Sequence, residues 1–197
     1  MAPHPAPENE PRLLPPDQYL ATLPRILVWA TLLLTDRHDR VLMLRSVWDS
    51  GIWQMPGGAV DAADAADGPR AAAAREALEE TGLVLAAGAP LLIVHQPPRP
   101  DWPAAVGLVF DGGTLHDDQV ARIVLSKEHT GHRLLTLEQW RQTEDMPPTR
   151  LAQLELALAA RRTGACGYQV LAPDHGPLVG AAQPLRPGLA GAPSPST

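Results

Sequence analysis

The chain has one cysteine, one phenylalanine and two tyrosines in 197 residues. A lone thiol, Cys166, rules out an internal disulfide and suits a reducing compartment. Basic residues are scarce and nearly all arginine, with Lys127 the only lysine, and the net charge is −6. That balance argues against a nucleic-acid backbone as the main partner, because phosphate contacts need clustered Lys and Arg. No apolar run approaches the roughly 20 residues that span a bilayer, so no membrane partner is expected. The first residues, Met1-Ala2-Pro3-His4-Pro5-Ala6-Pro7, lack the basic start and apolar stretch of a signal peptide. A cytoplasmic protein acting on a small molecule is the expectation.

Proline and glycine are plentiful, at 22 and 16, and they gather at the two ends. Residues 1–17 read as a Pro-rich arm, and 166–197 as an extension that is disordered from about 183. The span 18–165 is long enough for one domain with a real core. Within it, apolar patterning predicts strands at Arg25–Thr35, Val41–Arg45, Ile52–Met55, Leu91–His95, Val106–Asp111 and Ala121–Leu125. Asp36–Arg40 is the hairpin turn between the first two. A helix is predicted from Gly68 to Thr81, with Asp67 as its cap, Pro69 in the first turn and Gly82 as its stop. Thr136 with Gln139 has capping-box spacing for a short helix, and Thr149 is the expected cap of a last helix running to Thr163. Strands interleaved with helices predict an α/β fold with a mixed curved sheet between helices.

The richest stretch is Arg75-Glu76-Ala77-Leu78-Glu79-Glu80-Thr81-Gly82-Leu83. On a helix, Glu76, Glu79 and Glu80 stand at i, i+3 and i+4, so their carboxylates share a face and repel one another. Arg75 is the only basic residue within the helix's reach. A solvated acidic face is the ordinary outcome for such a run; a hard divalent cation such as Mg²⁺ would satisfy it instead. Ala71, Ala74, Ala77 and Leu78 are expected on the opposite face, packed on the sheet, with Ala72 leaving room on the acidic side. Upstream, Pro56-Gly57-Gly58 is a glycine turn that leaves backbone close to the helix.

Together these residues resemble the signature of the Nudix hydrolases, G-x5-E-x7-R-E-U-x-E-E-x-G-U with U a bulky apolar residue. Trp53-Gln54-Met55-Pro56-Gly57-Gly58 is similar to the family's lead-in, with Gly58 at the first glycine, and the likeness extends over roughly 18–163. Enrichment in Ala, Pro and Arg suits a GC-rich genome of actinobacterial type. The resemblance implies an α/β/α sandwich and an Mg²⁺- or Mn²⁺-dependent pyrophosphohydrolase. It implies Gly58 (by its carbonyl), Glu76, Glu79 and Glu80 as metal ligands, with Arg75 holding a glutamate, most simply Glu79.

One departure stands in the first half of the signature. Counting forward from Gly58 puts Asp64 where the family has Glu; counting back from Arg75 puts Asp67 there. Asp61 to Asp67 therefore carries extra residues, expected to form a solvent loop that could be shortened harmlessly, the alternative being that Asp64 reaches the site.

Many members of the family add an acid from a later loop, and Glu128, after the strand predicted at Ala121–Leu125, is the candidate for metal binding or general-base work. Glu138, inside the capping box, reads as structural. Arg45 and, less directly, Arg25 are candidates to clamp substrate phosphates. Trp48 and Trp102 could cover the rest of a substrate, whereas Trp29 and Trp53 read as core. His95, His129 and His132 each read as bland.

The substrate class implied is a diphosphate linked to another moiety, such as a nucleotide sugar or ADP-ribose, or a nucleoside triphosphate. Pro97 and Pro98 resemble a proline of the nucleotide-sugar branch. A prenyl diphosphate, or a ligand-binding module with little turnover, are the alternatives. A homodimer is common in the family.

Overall fold

The computed structural model describes residues 13–48, 51–100 and 102–171. The Pro-rich stretches at 1–12 and 172–197, including the tail from about 183, lie outside the described residues.

A short helix α1 (Pro16–Thr22) leads into β1 (Leu27–Asp36), the most apolar stretch of the chain. β1 is buried on both faces because a helix layer covers each side. Ala30, Leu32 and Leu34 enter one core with Ala73 and Ala77; Trp29 and Leu33 enter the other with Trp140, Leu154 and Ala157. Trp29 lies across Gly107 of the neighbouring strand, where an added Cβ would stand 1.9 Å from the indole. β2 (Val41–Ser46) returns after the turn at Asp36–Arg40.

β1 and β2 are paired only at Thr35 and Val41 and then diverge. Into that wedge go β3 (Trp53–Gln54), paired with β2, and β4 (Gly57–Ala59), paired with β1. The remaining strands are β5 (Pro90–Gln96), β6 (Ala105–Leu115), β7 (His129–Leu135) and β8 (Gly167–Val170). The sheet runs β3-β2-β1-β6-β5-β8, with β4 also on β1 and β7 also on β2. β1–β6 and β5–β8 are parallel and the other pairs antiparallel. Helix α2 (Gly68–Thr81) covers one face; α4 (Leu137–Arg141) and α5 (Pro148–Thr163) cover the other. This is the expected α/β/α sandwich around a mixed sheet. No helix among the described residues is long and apolar enough to cross a membrane.

Three expectations fail here. Ala121–Leu125 is not a strand: α3 (Asp117–Ala121) ends there, and the residues after it give their N–H groups to the end of α2. Thr149 does not cap α5, which begins at Pro148 with Pro147 in the cap position, since proline needs no N–H partner in a first turn. On α2 the buried residues are Ala72, Ala73, Glu76, Ala77, Glu80 and Thr81, while Leu78 is 44% exposed. Two of the glutamates therefore share the sheet-facing side with the alanines rather than opposing them, because that is the side on which β4 lies.

Candidate active site

The site is built where α2 passes over β4. Gly57 has φ +146°, and an added Cβ would fall 2.3 Å from the carbonyl of Ala30, so only glycine fits against β1. Its N–H donates to Glu80 Oε2 at 2.7 Å. At Gly58, an added Cβ would stand 2.6 Å from the Glu76 carboxyl carbon, so the missing side chain is the space that carboxylate occupies. Gly58→Ala should displace Glu76 and weaken divalent-ion binding more than it lowers the melting temperature, which parallel metal titration and thermal melting would show.

Arg75 is the hub of the acidic side. Its Nε and Nη2 reach Asp64 at 3.0 and 2.7 Å, and its Nη1 reaches Glu76 Oε1 at 2.9 Å and both Glu79 oxygens at 3.3 Å. Nη2 also donates to the carbonyl of Ala59 at 3.3 Å. Arg75 thus meets Glu79 as expected and Glu76 as well, while its bidentate partner is Asp64. The Arg75 guanidinium beside Asp64 holds that carboxyl below the usual range, and the same contact raises Arg75 further above its own.

The solvent-loop expectation is overturned for Asp64, which is 5% exposed. Asp61 to Asp64 fold into a 3-10 turn with a reciprocal capping box: Ala63 N–H donates to Asp61 at 2.7 Å, and Asp61 N–H to Asp64 at 3.0 Å. Asp67 occupies the cap position of α2 without a side-chain capping bond.

Glu80 lies on the other side of the hub and is 3% exposed. Burial pushes its carboxyl well up, and the charges of Glu76, Glu128 and Glu79 push it further, against the lowering pull of the Gly57 N–H. Its other near neighbour is His129, whose Nε2 is 3.5 Å from Oε1. Burial lowers that imidazole to about 4, so the contact joins a neutral ring to the acid and is no ion pair.

Glu128 is brought into this field by two supports. Val124 N–H and Ser126 N–H donate to the carbonyls of Thr81 and Glu80 at 2.9 and 3.2 Å, using acceptors that a helix end leaves open. Val47 N–H donates to the Glu128 carbonyl at 2.9 Å, which also sets Trp48, 39% exposed, beside the Glu128 loop.

The phosphate-clamp candidates are not gathered. On β2, Leu42 and Leu44 face the α2 core and Val41 and Met43 the α5 core, so Arg45 leaves on the α5 side, away from the glutamates. There it reaches Asp145 and the carbonyl of Gly51, each at 3.0 Å, and lies over Trp53. Arg25 is exposed in the segment before β1, and Trp102 is bridged to Arg99 through backbone. Glu138 pairs with Arg141, as a structural residue would. Asp64 and His129 are the two site residues that sequence reasoning undervalued; the forward count from Gly58 was the signal for the first.

Among the described residues no group of three or more His, Cys, Asp or Glu side chains is gathered closely enough to hold a metal ion as it stands. The donor chemistry nevertheless fits one. Three carboxylates and a backbone carbonyl are hard oxygen donors, and Glu80 is a buried acid to which the described contacts bring no cation.

An α/β/α sandwich whose glycine turn meets a helix bearing Arg-Glu-x-x-Glu-Glu defines a phosphoanhydride hydrolase. The chain belongs to the NUDIX domain family, whose model matches residues 25–156, and it is a Nudix pyrophosphohydrolase. Among solved structures it is similar to the MutT protein of Methanosarcina mazei Go1 (24% identity, TM-score 0.59, covering 70% of this chain and 96% of that one). It is also similar to the NUDIX domain of Shewanella oneidensis NrtR complexed with ADP ribose (19%, TM-score 0.60, covering 76% and 100%). A third is an ADP-ribose pyrophosphatase of Streptococcus suis (16%, TM-score 0.54, covering 75% and 100%). At these identities the likeness is one of fold. None of the curated proteins matches the chain.

Proposed function

We propose that this chain hydrolyses the phosphoanhydride of a diphosphate linked to another moiety, with Gly58 (by its carbonyl), Glu76, Glu79 and Glu80 holding Mg²⁺ or Mn²⁺. The observation that carries this is Glu80, a carboxylate buried without a cation at the end of a helix face that already holds two more. A bound divalent cation would neutralise phosphate charge and acidify water. The chain's own residues do the positioning. Arg75 keeps Glu76 and Glu79 in place while its charge is anchored by Asp64, and the Gly57 N–H fixes one oxygen of Glu80.

The Glu128 carboxylate takes the proton of the attacking water. Glu128→Gln should lower kcat by about 10² to 10⁴-fold with little change in KM, as for an interaction made mainly in the transition state. An unchanged kcat, with Glu138→Gln losing activity instead, would move the role. Trp48, next to Val47, whose N–H ties to that loop, covers the part of the substrate that does not react in this reading.

A phosphate-release screen over ADP-ribose, nucleotide sugars, nucleoside triphosphates and prenyl diphosphates, with and without Mg²⁺, tests the function. Of the similar structures, one is an ADP-ribose pyrophosphatase and another a NUDIX domain complexed with ADP ribose, which makes ADP-ribose the first compound to try. Release that is independent of metal, or absent throughout the panel, would sink the proposal.

A further inference from the structure

His129 opens β7 and is 7% exposed, and the proposed hydrolysis gives it no part. Its ring is bounded by polar side chains from three separate segments. Nε2 stands 3.5 Å from Glu80 Oε1 and 3.4 Å from the side-chain amide of Gln54; Nδ1 stands 3.5 Å from Ser126 Oγ. A buried histidine placed only for packing would not need acceptors and hydroxyls converging on both ring nitrogens.

The donors can be assigned by elimination. A neutral imidazole has one N–H and one acceptor nitrogen, and an ionised carboxylate can only accept. The nitrogen facing Glu80 must therefore carry the proton when Glu80 is ionised. Nδ1 is then the acceptor, and the Ser126 hydroxyl donates to it. Ser126 Oγ in turn accepts the Glu128 N–H at 3.3 Å, while Ser126 N–H holds the Glu80 carbonyl at 3.2 Å. Gln54 presents its carbonyl oxygen toward the ring, reached by turning the amide over.

We propose that His129 is a positioning residue for Glu80: its Nε2–H fixes Oε1 for service to a divalent cation, and Ser126 ties that orientation to the loop bearing Glu128. The proposal rests on the metal-dependent hydrolase reading above. Each oxygen of Glu80 then faces a nitrogen: the Gly57 N–H donates to Oε2 at 2.7 Å, and His129 Nε2 stands 3.5 Å from Oε1.

The test uses Mn²⁺ alone, titrated into the metal-free full-length protein and followed by the spin-resonance signal of the free ion. His129→Leu should weaken Mn²⁺ binding by about 10 to 100-fold, as losing a hydrogen-bond partner of a metal ligand typically does. His129→Gln, which restores an N–H donor, should recover most of that loss. Leu binding Mn²⁺ within about twofold of wild type, or Gln no better than Leu, would overturn the proposal.

Nitrogen-15 NMR of the unmodified protein saturated with Mg²⁺ at neutral pH, where Glu80 is ionised, gives a second readout that needs no variant to fold. His129 should be the Nε2–H tautomer, and the Nδ1–H tautomer would overturn the assignment. Wild-type protein that binds no Mn²⁺ would remove the hydrolase reading, and this proposal with it; binding by wild type and Leu alike removes this proposal alone.

Discussion

Glu80→Gln is expected to lower kcat by about 10²-fold or more and, in the metal-free protein, to raise the melting temperature at pH 8. The two effects have one cause. Glu80 is a carboxylate placed where water cannot solvate it, and its acid constant is raised by that burial. The folded chain therefore holds the proton to higher pH than the unfolded chain does. Stability from this group is whole below the ordinary carboxyl value of 4.5 and is lost as pH rises through the raised folded value. Glutamine carries no such charge, so the variant's advantage should grow from pH 5 to pH 8.

Metal reverses the order. A divalent ion at 100 times its Kd stabilises wild type by about 2.7 kcal/mol, and the variant should gain far less. Thermal melts at both pH values, with and without Mg²⁺, check this. Wild-type rates in Glu80→Gln would remove the metal assignment.

Asp64→Ala is expected to cost on the order of 3 kcal/mol, the lower end for breaking a buried ion pair, since Arg75 keeps Glu76 and Glu79 as partners. Metal affinity should fall with it, because the guanidinium that orients Glu76 loses its bidentate anchor. Deleting Ala62-Ala63-Asp64 should do the same, and Asp67 should not substitute. Denaturant unfolding and metal titration of both variants decide the matter, and a deletion that matches wild type in both would restore the solvent-loop view. The acid side has a definite sign: Asp64's folded pKa is depressed, so its contribution is present above the ordinary 3.8 and is lost as pH falls through the lowered value. Wild type and Asp64→Ala should converge there.

What was legible in the sequence followed from local signals. Gly68–Thr81 could be bounded to the residue because its stop is a glycine in the left-handed region, φ +73°, and its start a Pro-bearing turn. The capping box at Thr136 and Gln139 is present as read, with Gln139 N–H donating to Thr136 at 3.3 Å. What failed depended on tertiary partners. Five alanines on α2 carry almost no directional signal, so which side met the sheet was fixed by Gly57 and Gly58 lying beneath Glu76 and Glu80.

Ile123-Val124-Leu125 has the composition of a strand but serves as a strap across a helix end. β7, with His129, Gly131, His132 and Arg133, shows no apolar alternation and went unread; it forms because β2 offers it an edge. Asp64 looked like loop filler because its partner, Arg75, is eleven positions away and a single turn brings them together.

The strap over the end of α2 also separates what is free to drift from what is not. Val124 and Ser126 are moored to Thr81 and Glu80, so the Glu128 loop takes its position from the same helix that carries Glu76, Glu79 and Glu80. The preceding stretch, α3, buries none of its residues. Insertions between Leu115 and Val124 would lengthen an outer lobe without disturbing the distance from Glu128 to Glu80. A lineage could remodel that lobe for a new substrate in small steps while the hydrolytic centre stayed in register.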